Sequence, residues 1–288
     1  MSLPEMAAIA TVLNPGNPGK ILTWMNRPDS SLGLEIRSIK DKDEDKEYKS
    51  PATVGTIKNP SSIATFIVEH MANVYAIGND DFVYRLSPTI EKIDDASVAG
   101  NAASLAGTSD GEKAWLYYLT GGKKQITEYQ VDDGPNQTLV NEVCYEKTYI
   151  AATYNPDLKR RWVAFQLSSG QIKVMNLDKG TNYIIGDSSQ SKLQTPLAMC
   201  YVSSGSDSKG GIFVYYTNKD GQLLRAYKTT ALGDDSAFSA SVNFGNDART
   251  VSQFSQISVT AAPESNIVTY ISGAGKNRKL TKFLDLRS

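Results

Sequence analysis

Six short runs along the chain share one form, a bulky aliphatic residue followed by small ones. They are Ile9-Ala10-Thr11, Ile63-Ala64-Thr65, Leu105-Ala106-Gly107, Ile150-Ala151-Ala152, Leu197-Ala198-Met199 and Ile257-Ser258-Val259. After a polar turn, each is followed by a second run rich in large apolar side chains, at residues 21–25, 74–77, 114–119, 162–167, 212–217 and 267–271. Third runs follow Gly, Asn or Lys turns, most cleanly at residues 125–131, 170–177 and 221–227. A strand-and-turn unit recurring at intervals of roughly 45 residues is the mark of a radially repeated sheet. The pattern predicts an all-β chain folded as a six-bladed β-propeller, with residues 1–288 forming one domain.

The repeat has a physical reason. The innermost strand of each blade crowds around an axis and needs Ala, Ser, Thr and Gly beside one aliphatic residue. The next strand lies between neighbouring blades and carries aromatics on both faces, because successive side chains point to opposite sides. Phe213 and Tyr215 should therefore face one way and Val214 and Tyr216 the other; Trp115 and Tyr117 should alternate with Leu116 and Tyr118 in the same phase. Residues 138–143, 181–185 and 238–244 are expected as fourth strands. The sixth blade, closing with residues 279–286, is expected to lack a full outer strand or to borrow one.

Composition changes this picture little. A net charge of -1, from 30 basic and 31 acidic residues, gives no electrostatic case for nucleic acid or an anionic membrane as a partner. The charge run at residues 40–49 reads as a solvated loop of the first blade. Cys144 and Cys200 fall in or near strand-like segments and read as buried thiols rather than a disulfide framework. No apolar run approaches the roughly 18 residues that cross a bilayer, and residues 1–6 lack a basic leader. A cytoplasmic protein is expected. Asn136-Gln137-Thr138 would accept a glycan only on a secretory route.

Signatures of catalysis are sparse: no Walker loop, dinucleotide Gly fingerprint, HExxH, CxxC or GxSxG is present. His70, the single histidine, excludes two-histidine metal sites and reads first as a polar cap at a strand end. Asp80-Asp81 and Asp132-Asp133 sit at turns, where Asp favours hairpin geometry. Neither a metal nor a cofactor is expected.

The segment Gly211-Ile212-Phe213-Val214-Tyr215-Tyr216-Thr217-Asn218-Lys219-Asp220-Gly221-Gln222-Leu223 resembles the blade motif of the fungal fucose-specific lectins. There a strand of the type I-R-V-Y-Y leads through a D-x-x-G turn to I-R-E, and the other five repeats fit the same frame more loosely. The resemblance implies a lectin-like propeller holding sugar between blades, through an Arg of one strand, a Glu of the next and a stacking Trp or Tyr. Here the positions matching the arginine are Ile21, Val74, Trp115, Trp162, Phe213 and Ile267. Those matching the glutamate are Glu128, Val174, Arg225 and Lys282, with the first two blades near Ile36 and Tyr84. Apolar residues cannot supply the directed hydrogen bonds that desolvated sugar hydroxyls require, so millimolar fucose binding is not expected.

Two functional readings follow. One is an enzyme of fungal secondary metabolism on a sugar-free lectin frame, similar in overall type to the hetero-Diels-Alderases of tropolone sesquiterpenoid pathways. That resemblance implies a cofactor-free pericyclic coupling of a quinone methide with a terpene alkene, promoted by apposition and a dry pocket. Trp115, Tyr117, Trp162, Phe213 and Tyr215 would be its apolar walls; Tyr118, Arg161, Arg225 or His70 its donors; Glu128 or His70 the group promoting dehydration. The other reading is a glycan-binding lectin with altered sites, Glu128 beside Trp162 or Trp115 being the surviving pair. An interaction scaffold is a third use of such a fold, and a homodimer is compatible with any of them.

Overall fold

The computed structural model describes residues 8–40, 46–49, 56–59, 61–99, 104–120, 125–131, 137–138, 144–203, 210–230, 236–245 and 247–287. Six antiparallel sheets follow one another along these residues, each a simple meander. The first is β1 (Ile9–Leu13), β2 (Lys20–Asn26), β3 (Leu32–Ser38) and β4 (Lys46–Lys49); the second is β5 (Ile63–Val68), β6 (Met71–Ile77), β7 (Phe82–Ser87) and β8 (Glu91–Ser97). The third is β9 (Leu105–Ser109), β10 (Ala114–Thr120), β11 (Gln125–Gln130) and β12 (Gln137–Thr138); the fourth is β13 (Ile150–Asn155), β14 (Arg160–Gln166), β15 (Ile172–Asn176) and β16 (Thr181–Ile184). The fifth is β17 (Ala198–Val202), β18 (Gly211–Thr217), β19 (Leu223–Thr229) and β20 (Val242–Asn243), and the sixth has three strands, β21 (Ser258–Ala261), β22 (Ser265–Ser272) and β23 (Lys279–Leu286). This is the six-bladed propeller that the repeat predicts. The sixth sheet lacks an outer strand among the described residues, as expected. Residues 1–7, 41–45, 139–143, Asp132-Asp133 and Asn136 lie outside the described residues.

Inner-strand small residues face their central-strand partners in one repeated register. Ala10 pairs with Trp24, Ala64 with Tyr75, Ala106 with Tyr117, Ala151 with Ala164, Ala198 with Tyr215 and Ser258 with Thr269. The Ala, Thr and Ser side of these strands surrounds an axial cavity of about 90 Å³. Alternation then divides the aromatics between interfaces. Phe213 and Tyr215 pack with Val268 and Tyr270 of the sixth blade, whereas Val214 and Tyr216 pack with Trp162 and Ala164 of the fourth. Gly107 is required by this packing: a Cβ there would lie 2.5 Å from the Phe66 ring of the second blade.

The same register corrects the alignment of the first two blades. The residues equivalent to Trp115 and Phe213 are Leu22 and Asn73, not Ile21 and Val74, and those opposite the central aromatic are Leu34 and Arg85, not Ile36 and Tyr84. A one-residue slip sends a side chain to the other face of the sheet, and Ile21 and Val74 are indeed wholly buried on that other face.

The ring closes between the sixth and first blades through side chains. Ser258 Oγ accepts from the Thr11 N–H at 2.8 Å, and Thr260 donates to Thr11 Oγ1 at 2.8 Å. Gln256 reaches further, accepting from the N–H of Ile9 at 2.9 Å and of Ile63 at 3.0 Å while donating to the Ile63 carbonyl at 2.9 Å. Cys144 and Cys200 are buried free thiols. No helix among the described residues is long and apolar enough to cross a membrane.

Candidate functional site

Meander geometry puts the turn between first and second strands of every blade at one end of the ring. The turn between second and third strands and the links between blades lie at the other. At the first end, between the third and fourth blades, four expected site residues come together: Trp115 and Tyr117 from β10, Glu128 from β11 and Arg161 from β14. Tyr117 and Glu128 are directly opposite each other in the β10–β11 register. The Tyr117 hydroxyl donates to Glu128 Oε2 at 2.8 Å, and Arg161 crosses the interface to donate from Nη1 to Glu128 Oε1 at 2.7 Å.

Two further residues complete the cluster. Asp178, just beyond β15, accepts from Arg161 Nη2 at 2.6 Å, from Nε at 3.1 Å and from the Arg161 backbone N–H at 2.6 Å. Tyr154, at the end of β13, stacks on Trp115 with ring centres 6.0 Å apart, and the Arg161 guanidinium lies 5.2 Å from the Trp115 ring. The sequence marked neither: an Asp after a strand reads as turn chemistry, and an inner-strand Tyr as packing.

Burial grades across this cleft. The side chain of Glu128 is 6% exposed, against 23% for Arg161 and 30% for Asp178. Desolvation raises the Glu128 pKa above its ordinary value, outweighing the pull of Arg161, which is shared with Asp178. Desolvation also pushes Asp178 upward, but hydrogen bonds from the Arg161 side chain and backbone outweigh it and hold Asp178 low. Burial pulls Arg161 downward, while Asp178 and Glu128 more than offset it. Tyr117 is held well above the usual phenol range, first by burial and then by the adjacent Glu128 charge. The result is a fixed cation between two carboxylates, part-exposed on the Asp178 side, with the buried Trp115 and the half-buried Tyr154 stacked beside it.

The other interfaces are built at equivalent positions with different outcomes. Between the fifth and sixth blades, Tyr215 and Arg225 replace Tyr117 and Glu128, and Asn266 replaces Arg161. Here the cation comes from the third strand: Arg225 Nη1 donates to Asp285 Oδ1 at 2.7 Å, Tyr215 also donates to Asp285, and Asn266 Nδ2 donates to the Tyr215 hydroxyl at 2.7 Å. Asp285 is 2% exposed and Asn266 fully buried. Phe213 packs on Tyr227 beneath Arg225, so this cluster is a closed inter-blade lock. Between the fourth and fifth blades, Val174 stands at the Glu128 position and Trp162 packs against Tyr183, which meets Phe238 edge-on.

The remaining expected site residues are thereby placed. Trp162 is 1% exposed, and Tyr117, Tyr118 and Tyr215 are fully buried, so a ligand would reach them only by displacing blade contacts. His70 lies in the two-residue turn between β5 and β6, exposed, with positive φ at both Glu69 and His70 as a tight hairpin demands. It is outside the Arg161 cluster.

No protein-family model matches the sequence, and no curated protein does. Solved structures do match in fold. The Aleuria aurantia lectin, described as a six-bladed β-propeller with a novel fucose recognition mode, has a TM-score of 0.70 at 15% identity, covering 98% of this chain and 96% of that one. AofleA from Arthrobotrys oligospora has a TM-score of 0.66 at 15% identity, over 98% of this chain and 87% of its own. The BP39L lectin from Burkholderia pseudomallei has a TM-score of 0.66 at 12% identity, over 96% and 84%. The chain has the lectin-type propeller fold.

Proposed function

We propose that the protein is a glycan-binding propeller and that the cleft between its third and fourth blades is the principal site. The observation that carries this reading is Arg161, oriented by Glu128 and Asp178 at a half-open interface beside the Trp115–Tyr154 stack. Three of the guanidinium's five N–H groups are engaged, leaving two to donate to a sugar hydroxyl. The Asp178 carboxylate at the rim can accept one, and the Tyr154 ring offers a face for the C–H side of a pyranose. Two carboxylates against one guanidinium favour a neutral or amino sugar over an acidic one. The fold likeness to fucose-recognising lectins supports the same class of ligand; Glu128 keeps the family's glutamate position, whereas Arg161 comes from the fourth blade and Trp115 stands where the third blade's own arginine would be. Fucose itself is therefore expected to bind weakly.

The pericyclic reading gains no comparable support. Its expected walls Trp115, Tyr117, Trp162, Phe213 and Tyr215 are all buried in blade packing, and the part-exposed Arg161–Asp178 edge is charged rather than dry.

A glycan array followed by calorimetry tests the proposal. A neutral or amino glycan should bind at the 3/4 interface and not at the 5/6 interface, whose equivalent positions are closed. Arg161→Ala and Tyr154→Ala should each weaken it by about tenfold or more, the range of a charge-assisted hydrogen bond. An empty array, or unchanged affinity in both variants, would overturn the assignment.

A further inference from the structure

The opposite end of the ring carries a groove of about 290 Å³ between three loops. Residues 192–196 lead into β17, residues 217–221 join β18 to β19, and residues 251–254 lie in the link to β21. Each wall is tied to the frame. The buried Gln166 accepts from the Gln194 N–H at 2.8 Å and donates to the carbonyls of Gly170 at 2.8 Å and Lys192 at 3.0 Å. Asn218 Oδ1 accepts from the N–H groups of Asp220 and Gln222, both at 3.0 Å, and the Val251 N–H donates to Gly221 O at 2.9 Å. Such a groove needs little ordering when a ligand enters.

Phe254 is the unusual residue. Its φ is 65°, a left-handed conformation that a bulky aromatic rarely adopts, yet it is 40% exposed and stacks on no other ring among the described residues. That φ belongs to a turn in which the Ser255 N–H donates to the Ser252 carbonyl at 3.1 Å, and Gln194 takes φ 64° on the facing loop; the turn presents the Phe254 ring to the groove instead of to the core. Leu193, 46% exposed, supplies a second apolar wall. Lys192 and Lys219 line the groove without an ion-pair partner among the described residues, and Asp220 is its one acidic lining residue.

We propose that this groove is a separate site for a single carboxylated pyranose. Phe254 and Leu193 receive the apolar face of the ring, Gln194 and Gln253 its hydroxyls, and Lys192 and Lys219 its carboxylate. The volume is just below the roughly 300–1,000 Å³ of ligand pockets, which suits one ring.

The test is an amide chemical-shift titration of the full chain with D-glucuronate, beside D-glucose and acetate, scored on groove residues so that events in the 3/4 cleft are read apart. Glucuronate should shift the three loops and bind at least about fivefold tighter than either the uncharged sugar or acetate. Phe254→Gly removes the ring while relieving the backbone, so thermal stability should hold or rise as glucuronate affinity falls by about tenfold. Lys192→Gln with Lys219→Gln should abolish the preference over glucose. The proposal fails if glucuronate leaves the groove amides unmoved, if Phe254→Gly binds as the parent does or loses stability, or if the preference survives without the lysines.

Discussion

Arg161 holds two carboxylates that titrate in opposite senses. Asp178 has a folded pKa below its ordinary 3.8, so its stabilising contribution is complete above that value and is lost as pH falls through the folded one. Glu128 has a folded pKa above 4.5. The folded state therefore holds that proton more tightly, and stability declines as pH rises from 4.5 through the raised value. Thermal unfolding followed from about pH 3 to pH 7 should separate them. Asp178→Asn should flatten the acid limb of the stability curve, and Glu128→Gln should remove the decline on the rising side while leaving the acid limb in place. An acid limb unchanged by Asp178→Asn would show that other carboxylates govern it.

At the scale of strands, equivalent positions on adjacent hairpins yield one open cluster and one closed lock. The difference lies in which strand supplies the cation. Arg225 rises from the middle of β19 to meet Asp285 inside the interface, whereas Arg161 starts at the end of β14 and reaches in from the rim. Removing a partner from a buried pair strands a charge, at a cost of about 3–5 kcal/mol, whereas a rim pair contributes no more than about 1 kcal/mol. Chemical denaturation should therefore show Asp285→Asn losing about 3 kcal/mol and Asp178→Asn, at neutral pH, less than about 1 kcal/mol. Equal losses would mean that the 3/4 cleft is as closed as its counterpart.

For the whole ring, closure depends on few groups. Gln256 satisfies two buried backbone N–H groups and one carbonyl across the inner strands of the first and second blades, where Ile9 and Ile63 are no more than 1% exposed. Gln256→Ala would leave those groups without partners, a penalty of roughly 2–4 kcal/mol. Urea unfolding should show this loss, with earlier amide exchange in β1 and β5 than in β13. Uniform exchange across all six inner strands would instead mean that the hairpins alone hold the ring.

The chain's own pattern determined the propeller. Small residues at the axis and alternating aromatics on the second strands are dictated by crowding and pleat, and both recur often enough to be read directly. The buried roles of Cys144 and Cys200 were legible for the same reason. Register in the first two blades was not: Ile21 and Leu22, or Asn73 and Val74, differ by one position, and only pairing with Ala10 and Ala64 fixes which faces the interface. The candidate site was half legible. Trp115, Glu128 and Arg161 stood out by type, but Tyr154 and Asp178 belong to it solely because the fourth blade packs its strand ends against the third. Sequence spacing carries no record of which blade edge meets which, so the division between an open cleft and a buried lock was decided by tertiary structure alone.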